Sequence, residues 1–148
     1  MNVFIFSFNV NPVSVKAADQ KIAQLNSELS TQKIIQKHCD SYRLCRKVIE
    51  DCKSAKDPKA YRTKHQAEYH LHDSLKKELQ NLGVTKIPSS DKIKKRIENL
   101  ESAQTASVRE KQGLQEKQKL LNTIQQNFNV LLDAPEMQPP LSEKENTL

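Results

Sequence analysis

Two long stretches of this chain lack the residues that stop helices. Residues 17–53 contain neither Gly nor Pro, and residues 91–132 contain one Gly, Gly113, and no Pro. The whole chain has only 2 Gly and 6 Pro in 148 residues, so tight turns and sheet corners are scarce. Strong helix formers (Lys, Gln, Glu, Leu and Ala) recur in both stretches, and β-branched runs occur only near the N-terminus. The expected fold class is therefore all-α: an elongated antiparallel helical hairpin or coiled coil of about three helices, with disordered termini. Aromatics make up 5% and Trp is absent. Such a chain buries stripes between paired helices rather than one thick core.

Residues 1–16 read as an extended or disordered leader. No Lys or Arg precedes their apolar run, and Asn9 and Asn11 break it, which argues against a signal peptide. The helical module is expected over residues 17–133, with helices at about 17–53, 58–82 and 91–132. In the first helix, Ile22, Leu25 and Leu29 open an apolar stripe. Ile35, His38, Tyr42, Cys45, Ile49 and Cys52 continue it in steps of three and four after a shift of phase. Asp57 suits the cap of the second helix and Pro58 its first position. The inner stripe there is Tyr61, His65, Glu68 or Leu71, Leu75, Leu79 and Leu82, and Gly83 suits the C-terminal stop. Ser89 or Ser90 suits the cap of the third helix, with acidic Asp91 in its first turn.

The third helix should be about 60 Å long and carries a heptad. Ile93, Leu100, Ser107, Leu114, Leu121 and Phe128 lie seven apart, and all but Ser107 are apolar. Ile93, Leu100, Leu114, Leu121 and Phe128 thus form a helix-pairing seam, which would also serve a homodimer. The middle is weaker, because its companion positions are Glu110, Lys111, Lys117 and Gln118. Short connections make neighbouring helices antiparallel. Residues 134–148 read as a disordered acidic tail.

The formal net charge is +6, and most of it lies in residues 16–65, which hold 12 Lys+Arg against 6 Asp+Glu. That permits contact with phosphates. Arg43, Arg46, Lys47 and Lys53 cluster late in the first helix, and Lys92, Lys94, Lys95 and Arg96 at the start of the third. Either group suits DNA phosphate contacts that do not read sequence. The second group stands at the end of a helix where the dipole disfavours cations. The plainer reading of both is a solvated helix surface.

No catalytic constellation is expected. Cys39, Cys45 and Cys52 are spaced by six and seven residues, unlike a zinc knuckle. They read as reduced, buried, small apolar residues of a cytoplasmic protein. His65, His70 and His72 stand close in sequence, but His70 and His72 point about 200° apart on a regular helix and cannot share a metal. They read as surface or interface histidines. Phosphate-cradling and nucleophile-elbow motifs are missing, and two glycines hardly build such loops. The expectation is no enzyme, no cofactor, no metal site and no membrane span.

Residues 42–52 (YRLCRKVIEDC), 53–79 (KSAKDPKAYRTKHQAEYHLHDSLKKEL), 82–102 (LGVTKIPSSDKIKKRIENLES) and 124–133 (IQQNFNVLLD) follow one another. Together they resemble the helical C-terminal region of relaxases, the mobilisation nucleases of plasmids and integrative elements. The resemblance spans Cys39 to Leu132 and rests on the order of the pieces. Relaxases nick one DNA strand with a tyrosine, using a metal held by a histidine cluster on β-strands. That chemistry does not carry over. His70-Leu71-His72 matches only the end of such a cluster and falls on a helix, and residues 1–40 contain no Tyr. The resemblance implies a relaxase shortened at its N-terminus or a separately encoded helical tail. The implied role is that of a non-catalytic accessory region in plasmid or conjugative-element transfer, a spacer or docking arm near DNA. The implied partners are DNA, transfer-machinery proteins or an upstream nuclease domain. The alternative from the residues alone is a coiled-coil scaffold or interaction protein with no nucleic-acid role.

Overall fold

The computed structural model describes residues 12–133. They form α1 (Pro12–Lys53), α2 (Pro58–Lys64), α3 (Gln66–Asn81) and α4 (Ser90–Asp133), and no strand occurs among the described residues. The chain is all-α. The expected tail 134–148 and residues 1–11 of the expected leader lie outside the described residues.

Helix boundaries follow local chemistry, with two corrections. α1 begins at Pro12 rather than near residue 17, so the last part of the expected leader is helical. Pro fits a first helical position, because its ring presets φ and no intrahelical bond is asked of its nitrogen. The second expected helix is divided at His65, whose φ of −107° and ψ of 27° leave the helical region. Neither Pro nor Gly marks that break. Asp57 caps α2 by accepting from the backbone N–H groups of Lys59 and Ala60, each at 3.1 Å. After α3, Gly83 adopts φ +80°. The Val84 N–H then reaches back to the Leu79 carbonyl at 2.9 Å, closing a Schellman turn.

The chain divides into two compact units. The first is Ile22–Ala106. In it α3 packs on α1 through Tyr42 stacked on His72, with ring centroids 4.6 Å apart, and through His38 and Glu78 at 3.2 Å. α4 packs on α1 through Lys33 and Glu101 at 3.1 Å, and through Asn26 with Gln104. In both pairings the α1 number falls as the partner's rises. Both helices are therefore antiparallel to α1, and α3 and α4 run in the same direction. The expectation that every neighbouring pair is antiparallel fails at this connection. Residues 82–89 are long enough to step back along α1, and the Arg43 guanidinium holds the returning chain by donating to the Pro88 carbonyl.

The overlap of α3 and α4 on α1 makes the core of this unit. Leu29, Ile35, Cys39, Leu79, Ile93 and Ile97 are buried there, with Tyr42, Val84, Ile87 and Leu100 packed around them. Each large aliphatic side chain so buried contributes about 1.5–3 kcal/mol. Ile93 and Leu100, two residues of the expected seam, are thus engaged within the chain.

Of the second unit, residues 12–21 and 107–133 are described. Lys111 pairs with Asp19 across α1 and α4. Ala18 and Ser107 are buried here, and their small size suits close approach of two helix backbones. The seam positions Leu114 and Leu121 are half-buried and Phe128 is exposed.

Candidate nucleic-acid interface

The late-α1 basic group is largely tied to neighbours. Arg43 donates to the Asp40 carboxylate at 3.0 Å as well as to the Pro88 carbonyl. It is half-buried, and its role in the fold is to strap the connection onto α1. Arg46 pairs with Glu50 one turn on, at 3.0 Å. Lys53 closes α1 in its last turn, where a cation complements the helix dipole. Lys47 is exposed and forms no ion pair among the described residues.

The α4 group differs. Lys92, Lys94, Lys95 and Arg96 are all exposed, and none forms an ion pair among the described residues. The helix divides them by direction. Ile93 and Ile97 face the core. At about 100° per residue, Lys92 and Arg96 then share one flank, Lys94 takes the other and Lys95 points outward. The Ser89 hydroxyl caps the helix by accepting from the Lys92 N–H at 3.3 Å. The four residues thus do not form one patch.

A cavity of about 490 Å³ lies beside the Lys92–Arg96 flank, between residues 83–89 and Ile35 of α1. Lys86 enters it from the connection, so three cations line it, and no acidic side chain does. Lys86 was not singled out by sequence. It lies six residues before Lys92, off any helical register, and only the backward step of the chain brings it there. A second cleft of about 440 Å³ continues along the same flank. Arg96 lines both, with Asn99 from α4 and Glu28, Thr31 and Gln32 from α1 in the second. The Gln32 side-chain oxygen is buried there without a hydrogen-bond partner.

The remaining polar candidates are structural in their contacts. His65 lies tilted against Tyr61, with ring centroids 4.3 Å apart, and meets Glu68 at 3.2 Å, and His72 lies between Tyr42 and Asp73. His70 is exposed. Among the described residues no group of three or more His, Cys, Asp or Glu is placed to hold a metal ion. Cys39, Cys45 and Cys52 are free and buried. Burial pushes the Cys39 and Cys45 thiols above their ordinary value, with Arg43 pulling only partly against it at Cys39. Such thiols are poor nucleophiles. No helix among the described residues is long and apolar enough to cross a membrane.

No protein-family model, no curated protein and no solved structure matches the chain.

Proposed function

We propose that this chain is a non-catalytic helical accessory region of a relaxase-type DNA mobilisation protein, acting in plasmid or conjugative-element transfer as a spacer or docking arm near DNA. The observation that carries the DNA part is the unpaired charge of α4. Lys92, Lys94, Lys95 and Arg96 have solvated heads and no acidic partner among the described residues. Of these only Lys92 lies in the first turn, where the helix dipole disfavours a cation and an anionic partner would offset that. The relaxase part rests on the ordered resemblance of residues 39–132. Work in the cytoplasm accords with three free thiols.

The test is sedimentation velocity of the chain with a single-stranded transfer-origin oligonucleotide at low and at high salt. The expected result is a complex at low salt that dissociates as salt rises. No complex at low salt, or one indifferent to salt, removes the DNA role.

A second reading, a scaffold that docks another helix, is favoured by the end of α4. Leu120, Ile124, Val130, Leu131 and Leu132 are all exposed there. Loss of a dimer on replacing Leu114 and Leu121 by Asp favours this reading, whereas an unchanged monomer opposes it.

A further inference from the structure

We propose that the cavity between residues 83–89, α1 and the first turns of α4 seats a phosphodiester of single-stranded DNA, held by Lys86, Lys92 and Arg96. This deepens the DNA-docking reading above and rests on it. Three observations carry it. The cations come from two separate elements and converge on one cavity of about 490 Å³ that no acidic side chain lines. None of the three forms an ion pair among the described residues, so their charge is available to a ligand. The wall that presents Lys86 is fixed before any ligand arrives. Arg43 bonds the Pro88 carbonyl, the Val84 N–H bonds Leu79, and Val84 and Ile87 pack on the core. A preordered cationic cleft loses little entropy on binding.

The form of the ligand follows from the lining. A phosphodiester presents two non-bridging oxygens that share one negative charge, and a flexible single strand can lay one such group into a concave site. A duplex is stiff and carries its phosphates on a convex surface, so it meets Lys94 and Lys95 sooner than the cavity floor. The second cleft beyond Arg96 holds Thr31, Gln32 and Asn99 but also the acidic Glu28, so the anion-binding part of the path ends at Arg96. No aromatic side chain lines either cleft. Bases therefore gain no stacking platform, and binding follows the backbone without base preference.

The experiment titrates the full chain into labelled single-stranded DNA over a salt series, for three proteins. One is unaltered, one is Lys86→Gln/Lys92→Gln/Arg96→Gln, and one is Lys94→Gln/Lys95→Gln. All substituted residues are exposed, and unchanged circular dichroism and melting verify the fold. For single strands each phosphate contact adds about 0.7 to the slope of log affinity against log salt. The cavity variant should lose several-fold in low-salt affinity and, for the one phosphodiester the cavity seats, about 0.7 in slope. The Lys94/Lys95 variant should stay within about threefold of the unaltered chain. Binding that falls equally in both variants, or only in the second, overturns the cavity while leaving DNA docking standing. Failure of the unaltered chain to bind removes the docking reading itself. A parallel NMR titration with inorganic phosphate should shift the amides of residues 83–89 in the unaltered chain and not in the cavity variant.

Discussion

Replacing Ile93 by Ala tests whether the heptad of α4 works within the chain. Ile93 is fully buried, at 0% exposure, in the cluster that joins α1, α3 and α4. Truncation of a buried Ile to Ala costs about 2–5 kcal/mol, the higher values applying where the surroundings cannot collapse into the space. Here the walls are three helices held at once by Leu79, Ile35 and Cys39, so about 3–4 kcal/mol is expected. With a urea dependence of about 1–3 kcal/mol per molar for a small domain, the unfolding midpoint should fall by roughly 2 M. The assay is urea unfolding followed by circular dichroism at several protein concentrations. The shift should be the same at each, because the contact is intrachain. Phe128→Ala, at an exposed heptad position, should move the midpoint by less than about a quarter as much. A loss at Ile93 below about 0.5 kcal/mol, or one that changes with protein concentration, refutes intrachain packing.

Other outcomes follow from single residues. Gly83 sits at φ +80°, whereas a Cβ at Gly113 meets nothing within 4 Å. Gly83→Ala should therefore destabilise by about 1–2 kcal/mol, and Gly113→Ala should stabilise by about 0.5–1 kcal/mol, both read by thermal melting. The native chain should react slowly with a thiol reagent, and all three cysteines should react once it is unfolded, because burial raises Cys39 and Cys45. A hydrogen bond from its own backbone N–H, and then His65, hold the Glu68 carboxyl below its ordinary 4.5. A depressed acid stabilises the fold above its unfolded value and loses that effect as pH falls through the folded one. Stability should thus decline as pH drops below about 4.5, and Glu68→Gln should flatten that part of the profile.

Much of the helix layout was legible because it is local. The Asp57-Pro58 pair and Gly83 each state a boundary through their own backbone chemistry, and the period of Ile93 and Ile97 gives the inward face of α4. What was not legible depends on contacts far apart in sequence. The relative direction of α3 and α4 is set by residues 82–89 stepping back to Arg43, a contact with no local signal. That step also decides the candidate site. By sequence, Arg43 looked like a phosphate ligand and Lys86 like part of a linker. In the fold Arg43 braces the connection and Lys86 lines the cavity. The four cations from Lys92 to Arg96 look like one cluster in the sequence, but helical geometry sends them three ways. The break at His65 has no stop signal in the sequence, because its neighbours are ordinary helix formers.

The central claim is that the cations on the first turns of α4 and at Lys86 meet nucleic-acid phosphates. Its most direct measurement is the salt dependence of single-stranded DNA binding by the unaltered chain, followed by fluorescence anisotropy. The account predicts a linear fall of log affinity against log salt with a slope of about −0.7 or steeper, at about 0.7 for each phosphate held. A flat line, or no anisotropy change at the lowest salt, contradicts it.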